Sequence, residues 1–311
     1  MTTAKVAAEH SVHSTRAALA SVSLALVLLV AKAWAAYRTG STAMLGSLAD
    51  TALDVIASLT TLLGVRIAAM PADLDHRFGH GKAEALVALA QVVLIAVSAV
   101  GIGWRAVDRL INGAQTEAMA DGIAVSLLAI VGTFALLWYQ RQVIARTVSV
   151  AIKTDNVHFK SDLMLNGAVI VALVLDQALH MGGADALFGI GIALWLLGGA
   201  WRASSEAVNQ LMDREWPEEE RQQFLEAASA YSELDGLHDL RTRKSGTLRF
   251  VQFHVWVPAH WTVKQAHDRL DRIEEELQER FPGTEILIHV DPEGQTDRET
   301  LLPQQITEQS Q

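Results

Sequence analysis

The 311-residue sequence contains no cysteine. That absence excludes a disulfide scaffold, a zinc finger built on thiolates, an iron–sulfur centre and a cysteine nucleophile. Net charge is also nearly absent from most of the chain: residues 1–202 carry 14 Lys/Arg against 13 Asp/Glu, a net of +1. Residues 203–311 carry 11 against 22, a net of −11, and so hold nearly all of the total of −10. A mean hydropathy of +0.22 beside so acidic a final segment argues against a simple cytosolic enzyme. At roughly 100–200 residues per domain the length predicts two domains, and composition says they are made of different material.

The first is membrane protein. A helix needs about 20 mostly apolar residues to cross the hydrocarbon, and six segments qualify: 14–37, 41–67, 83–109, 117–140, 148–179 and 184–206. The first is no cleavable signal peptide, because its apolar stretch is long and Glu9 precedes it. Ten Lys/Arg fall on the side of the termini (Lys5, Arg16, Arg66, Arg77, Lys82, Arg141, Arg146, Lys153, Lys160, Arg202) and three on the other (Arg38, Arg105, Arg109). The positive-inside rule therefore places both termini in the cytoplasm.

The second material begins near Leu211. Residues 217–231 read as an acidic helix with Pro217 in its first turn. Strands are predicted over 237–243 and 248–257, a helix over 263–281 and a third strand over 284–290. That order, αββαβ, is a small α+β domain. The tail beyond it is polar, lacks aromatic residues and is expected to be disordered. The expected division is an N-terminal segment 1–13, a six-helix membrane domain 14–206, a cytoplasmic domain 207–292 and a tail 293–311.

Ionisable groups inside spans are costly and point to function. Asp50 and Asp54 in span two are spaced i,i+4, on one helical face, and His158 and Asp162 repeat the spacing in span five. Two carboxylates one turn apart in a low dielectric repel unless a cation joins them. Three carboxylates and one imidazole suit a four-coordinate Zn²⁺ site without thiolate. Lys32 and Asp176 are isolated, and a structural role, snorkelling or pairing, is expected for them. The loop after span two offers a second oxygen and nitrogen set, Asp73, His76 and His80. The final domain holds His238, His254, His267, His289 and Asp291; His238 and His254 fall on adjacent strands, and His289 shares one face of the third strand with Asp291. His10, His13, His180 and His260 read as surface residues.

These residues resemble the cation diffusion facilitator family, close to its bacterial YiiP-type zinc-efflux branch. The resemblance runs from about Ala17 to Asp291 and is carried by Asp50-xxx-Asp54, the run from His76 to Glu84 (HRFGHGKAE), His158-xxx-Asp162, and His238 to Arg243 (HDLRTR). It implies a homodimer of six-span protomers with a metallochaperone-like C-terminal domain. Carried over, the transport site is Asp50, Asp54, His158 and Asp162, and the loop site is Asp73, His76 and His80. A binuclear cytoplasmic site at the dimer contact takes His238, His254, His267, His289 and Asp291, and Lys82 with Asp213 matches an inter-subunit charge lock. Val290 departs from the polar residue of close relatives at that position.

The expected activity is export of Zn²⁺, with Cd²⁺ or Fe²⁺ as alternatives, coupled to inward proton movement across a bacterial inner membrane and regulated by Zn²⁺ at the cytoplasmic domain. Metal ions, protons, lipid and a second copy are the expected partners, with no nucleic acid. A membrane-bound zinc sensor without transport leaves the paired ligands of spans two and five unexplained. An intramembrane metalloenzyme lacks a His-Glu-x-x-His helix and the open coordination position that catalysis needs. A channel would move metal without responding to a proton gradient.

Overall fold

The structure, a computed structural model, describes residues 3–39, 42–112, 123–179 and 184–294. Among these, six long helices come first: α1 (Thr3–Thr39), α2 (Thr42–Ala68), α3 (Ala83–Asn112), α4 (Ile123–Thr147), α5 (Val150–Leu179) and α6 (Ala184–Leu211). At 25 to 37 residues each, they exceed the length a bilayer requires. By length and apolar composition α1, α2, α3, α4 and α6 qualify as spans. Helix α5 is equally long: Lys153, Asp155, Lys160 and Asp162 fall in its first half, and the run from Leu163 to Leu175 that follows is apolar but for Asn166.

The helices pack through small residues. Ala17, Ala18, Ala85, Ala88, Ala151 and Ala207 are all fully buried, which lets backbones approach closely. Outward, Trp34, Val97, Trp104, Phe134, Trp138 and Trp201 are exposed, an apolar surface that suits lipid rather than water. By internal contacts the chain divides into two compact units, His10–Leu211 and Met212–Gln311, the latter grouped with the first nine residues.

The second unit contains α7 (Glu218–Ala228), β1 (His238–Ser245), β2 (Leu248–Val257), α8 (Val263–Arg280) and β3 (Thr284–Pro292). The sheet order is β1-β2-β3, with β1 and β2 antiparallel and β2 and β3 parallel. A parallel neighbour needs a crossover, and α8 supplies it. Its stripe of Ala266, Leu270, Ile273 and Leu277 is buried against Phe253, Val251 and Phe224, whose rings form part of one aromatic-rich core. Thr262 caps α8, accepting from the Gln265 amide while the Gln265 side chain accepts from the Thr262 amide, a device worth about 1 kcal/mol.

The architecture is the expected one, an α-helical membrane unit followed by αββαβ, and the differences are at the ends. Helix α1 begins eleven residues before the expected span, because Thr3–His13 is helix-forming though polar. Helices α4 and α6 likewise run on to Thr147 and Leu211. Hydropathy marks where a helix meets lipid, not where it stops. Strands β1 and β3 each extend two residues further than expected, while α7 is three residues shorter at its end. The expected start of span four at 117–122, the Asp176 and His180 side chains, and the tail beyond Gly294 lie outside the described residues.

Candidate metal sites

Within the helical unit, α2 and α5 bring three of the four expected ligands together. His158 Nε2 lies 3.1 Å from Asp54 Oδ1 and 3.9 Å from Asp162 Oδ2. The ligand atoms of Asp54, His158 and Asp162 all fall within 4.8 Å of one another, a spacing one ion can span. Asp50 is not among them. It is 59% exposed, and its carboxylate lies 3.8 Å from the guanidinium of Arg105 on α3. Lys32 pairs: its Nζ donates to Thr51 Oγ1 at 2.6 Å, between Asp50 and Asp54 in the sequence of α2.

Two further acids in this unit stand outside the expected ligand sets. Asp155, one turn before His158, is fully buried. Its carboxylate accepts from Ser21 Oγ at 2.6 Å, Gln140 Nε2 at 2.8 Å, Gln91 Nε2 at 3.3 Å and Thr61 Oγ1 at 3.4 Å. Glu84, also buried, accepts from Ser149 Oγ at 2.6 Å, and Ser149 Oγ in turn accepts from the Ile152 amide at the start of α5. The polar run Lys153-Thr154-Asp155-Asn156 inside an apolar helix was the available signal for Asp155.

The loop joining α2 to α3 folds around Asp73. Its Oδ1 accepts from the amides of Asp75 at 3.0 Å and His76 at 2.6 Å, an Asx turn. The His76 N–H is the main reason that the Asp73 carboxyl is held below its usual range. Gly79 turns the chain with φ 76, a conformation open to glycine. His76 Nδ1 and His80 Nε2 then each sit 3.3 Å from an Asp73 oxygen. All three expected loop residues converge.

In the second unit the strand register does the work. His238 pairs with His254 across β1 and β2, and His254 with His289 across β2 and β3, so three imidazoles form a row over the sheet. A bulge follows His238, with Asp239 in the left-handed region at φ 49, and re-aims the start of β1. Asp291 Oδ2 lies 3.0 Å from His254 Nδ1 and 3.3 Å from His238 Nε2, while its Oδ1 lies 3.5 Å from His289 Nε2. His238 Nδ1 lies 2.7 Å from the Gly236 carbonyl, which fixes its ring and leaves Nε2 to face the cluster. One carboxylate serving imidazoles from both oxygens can bridge two ions. His267 is not in this row; it is exposed on α8. Val290, 39% exposed, alternates to the opposite side of β3 from His289 and Asp291. Lys82 Nζ donates to the Leu211 carbonyl at 3.2 Å, and Asp213 has Arg243 Nη1 at 3.8 Å. His13 is half-buried beside Arg16 and Tyr139, and His260 is exposed.

Comparison with known proteins matches both units. Residues 18–212 fit the cation efflux transmembrane domain, and residues 216–293 fit the cation efflux protein cytoplasmic domain. The chain is 43% identical over 278 residues to the cation-efflux pump FieF of Klebsiella pneumoniae, covering 89% of this chain and 92% of that protein. The FieF of Cronobacter sakazakii is equally similar, at 43% over the same shares. That of Salmonella enteritidis is 41% identical over 285 residues, covering 91% of this chain and 94% of the relative. A unit of apolar helices followed by a small sheet unit, each matched over most of its length, leaves one conclusion: the chain belongs to the cation efflux, or cation diffusion facilitator, family of membrane transporters that move divalent cations out of the cytoplasm.

Proposed function

We propose that this protein exports Zn²⁺ through an intramembrane site of Asp54, His158 and Asp162, with Asp50 as the fourth ligand, in exchange for protons. The observation that carries this reading is the convergence of three ligand atoms from α2 and α5 inside apolar helices. One imidazole among carboxylates favours Zn²⁺ and similar ions over Mn²⁺. Cd²⁺ and Fe²⁺ share that ligand preference. Each ligand must lose its proton to coordinate, so protons arriving from outside compete with the metal and help to release it. For Asp50 to join, it must leave Arg105, and the exposed pair is weak enough to allow that.

Both termini and the second unit lie in the cytoplasm of a bacterial inner membrane on this reading, in line with the ten-to-three distribution of basic residues. Cytoplasmic Zn²⁺ held by His238, His254, His289 and Asp291, with His267 facing a second copy, links two protomers and adjusts transport to supply. The Asp73, His76 and His80 loop holds a further ion near the membrane surface, and Lys82 with Asp213 locks the two copies by charge.

The test is uptake by the purified protein in liposomes under an imposed pH gradient, comparing Zn²⁺ with Cd²⁺, Fe²⁺ and Mn²⁺. Asp54→Ala is expected to abolish flux, since it leaves at most one carboxylate beside His158 and Asp162. Undiminished Zn²⁺ flux in that variant sinks the site assignment. Metal binding without flux in the parent protein favours a sensor, and flux indifferent to the gradient favours a channel.

A further inference from the structure

The buried acid one turn before the proposed transport site has no part in metal ligation, and its surroundings are specific. Asp155 draws hydrogen-bond partners from all four preceding helices: Ser21 from α1, Thr61 from α2, Gln91 from α3 and Gln140 from α4. Ser21, Thr61, Gln91, Gln140 and Asp155 are each buried to within 1% of completely. Every one of the four partners is uncharged. A carboxylate sealed in this way without a cation in its hydrogen-bond set is costly, and such groups inside membranes mark function.

The chemistry of the partners matters more than their number. Hydroxyls can donate or accept, and a carboxamide can do either by turning over. Gln91 donates through Nε2 to both Thr61 and Asp155, while its Oε1 is buried without a hydrogen-bond partner among the described residues. Turned over, that idle acceptor faces the carboxyl and takes an O–H from it. The cluster therefore offers Asp155 donors when it is an anion and, through the turned Gln91 Oε1, an acceptor when it is a neutral acid. Gln140 differs: it is fixed by Asn156, which donates to its Oε1 at 2.9 Å. Among titratable groups, His158 one turn away acts on Asp155, and Asp155 in turn acts on Asp162 beyond it.

We propose that Asp155 is a proton-carrying residue of the transport cycle, taking up a proton in its uncharged five-helix cluster when the metal site empties and releasing it when the site fills. The proposal rests on the reading of proton-coupled export above, and adds a proton site outside the ligand set. The step is proton transfer alone: an O–H bond forms on the Asp155 carboxylate with a proton from water at one membrane face. It breaks again to water at the other. A divalent charge at His158 and Asp162, one to two turns away across a low dielectric, disfavours the anion's protonation, so metal and proton exclude each other without sharing an atom.

The test uses the full-length protein. Asp155→Asn keeps the shape and hydrogen-bonding capacity of the side chain but cannot carry the proton. Expected are wild-type Zn²⁺ stoichiometry by equilibrium titration, fewer protons released per Zn²⁺ bound in weakly buffered solution, and a flattened dependence of liposome flux on pH. Flux under the gradient should fall by about tenfold or more. Gln91→Met, which removes the turning carboxamide and no charge, should flatten the same profile and decides the matter if Asp155→Asn does not fold. Wild-type proton release and pH profile in these variants overturn the proposal, as does loss of metal binding together with flux, which marks Asp155 as a scaffold residue only. If the parent protein itself ignores a pH gradient, proton coupling falls and this proposal falls with it, a result distinct from variants that behave like a gradient-driven parent.

Discussion

Histidine at position 158 and aspartate at position 73 illustrate two ways in which single residues set these sites. His158 is 11% exposed and held between acids of two helices, so its geometry is fixed by packing. Asp73 is exposed and holds its loop through backbone amides instead. Because the His76 N–H lowers the Asp73 pKa below its unfolded value, the carboxylate's contribution to loop order is fully present above that unfolded value. It is lost only as pH falls through the lowered folded value. Protection of the His76 amide from hydrogen exchange, measured against a loop amide without this bond, is thus expected to persist from neutral pH to about pH 4 and to fade below it. Asp73→Ala should remove the protection at every pH. Fading that begins near neutrality in the parent protein contradicts the assignment of this bond.

At the scale of elements, the cytoplasmic row of histidines depends on one glycine. Gly236 has φ 59, and a Cβ there would overlap the indole of Trp256. Trp256 is also the register partner of Asp291, and the Gly236 carbonyl orients His238. Gly236→Ala is therefore expected to displace the start of β1 and weaken Zn²⁺ binding by His238, His254 and Asp291 by about tenfold, as loss of an orienting partner does. Titration calorimetry on the full-length protein reads this, and unchanged affinity refutes the orienting role. Much of this scale was legible in sequence. Period-two alternation placed His289 and Asp291 on one face, and the loop's oxygen and nitrogen set, Asp73, His76 and His80, was readable as a list of residues, with its role as a site implied by the family resemblance. Spacing in a helix was less complete as a guide. It put Asp50 and Asp54 on one face, yet the Asp50 carboxylate lies 3.8 Å from the guanidinium of Arg105 on α3, a neighbour that no i,i+4 pattern reveals. Likewise His267 follows Ala266 of the buried stripe of α8 but lies on its exposed side. Asp155 stayed hidden because its four partners come from four other helices, and one-dimensional spacing does not record that meeting.

On the scale of the whole molecule, charge and association oppose each other. Residues 203–311 carry a net charge of −11, and the proposed homodimer would bring two such segments together. Surface repulsion of this kind is screened over about 8 Å at physiological ionic strength. On the proposed function, Zn²⁺ held at the histidine rows would add positive charge where the acidic segments lie, and so would both bridge and neutralise. Chelation of the metal at low salt is therefore expected to separate the cytoplasmic units of the paired protomers, and added monovalent salt should reverse part of that separation without restoring metal. Spin-label distances between equivalent sites in β2 of the two copies, taken in the full-length protein with and without chelator across a salt series, measure the effect. His238→Ala should behave as the chelated protein does at every salt concentration. Distances that ignore both metal and salt would mean that apolar contact alone holds the units together, and that their acidity serves to gather cations rather than to tune the dimer.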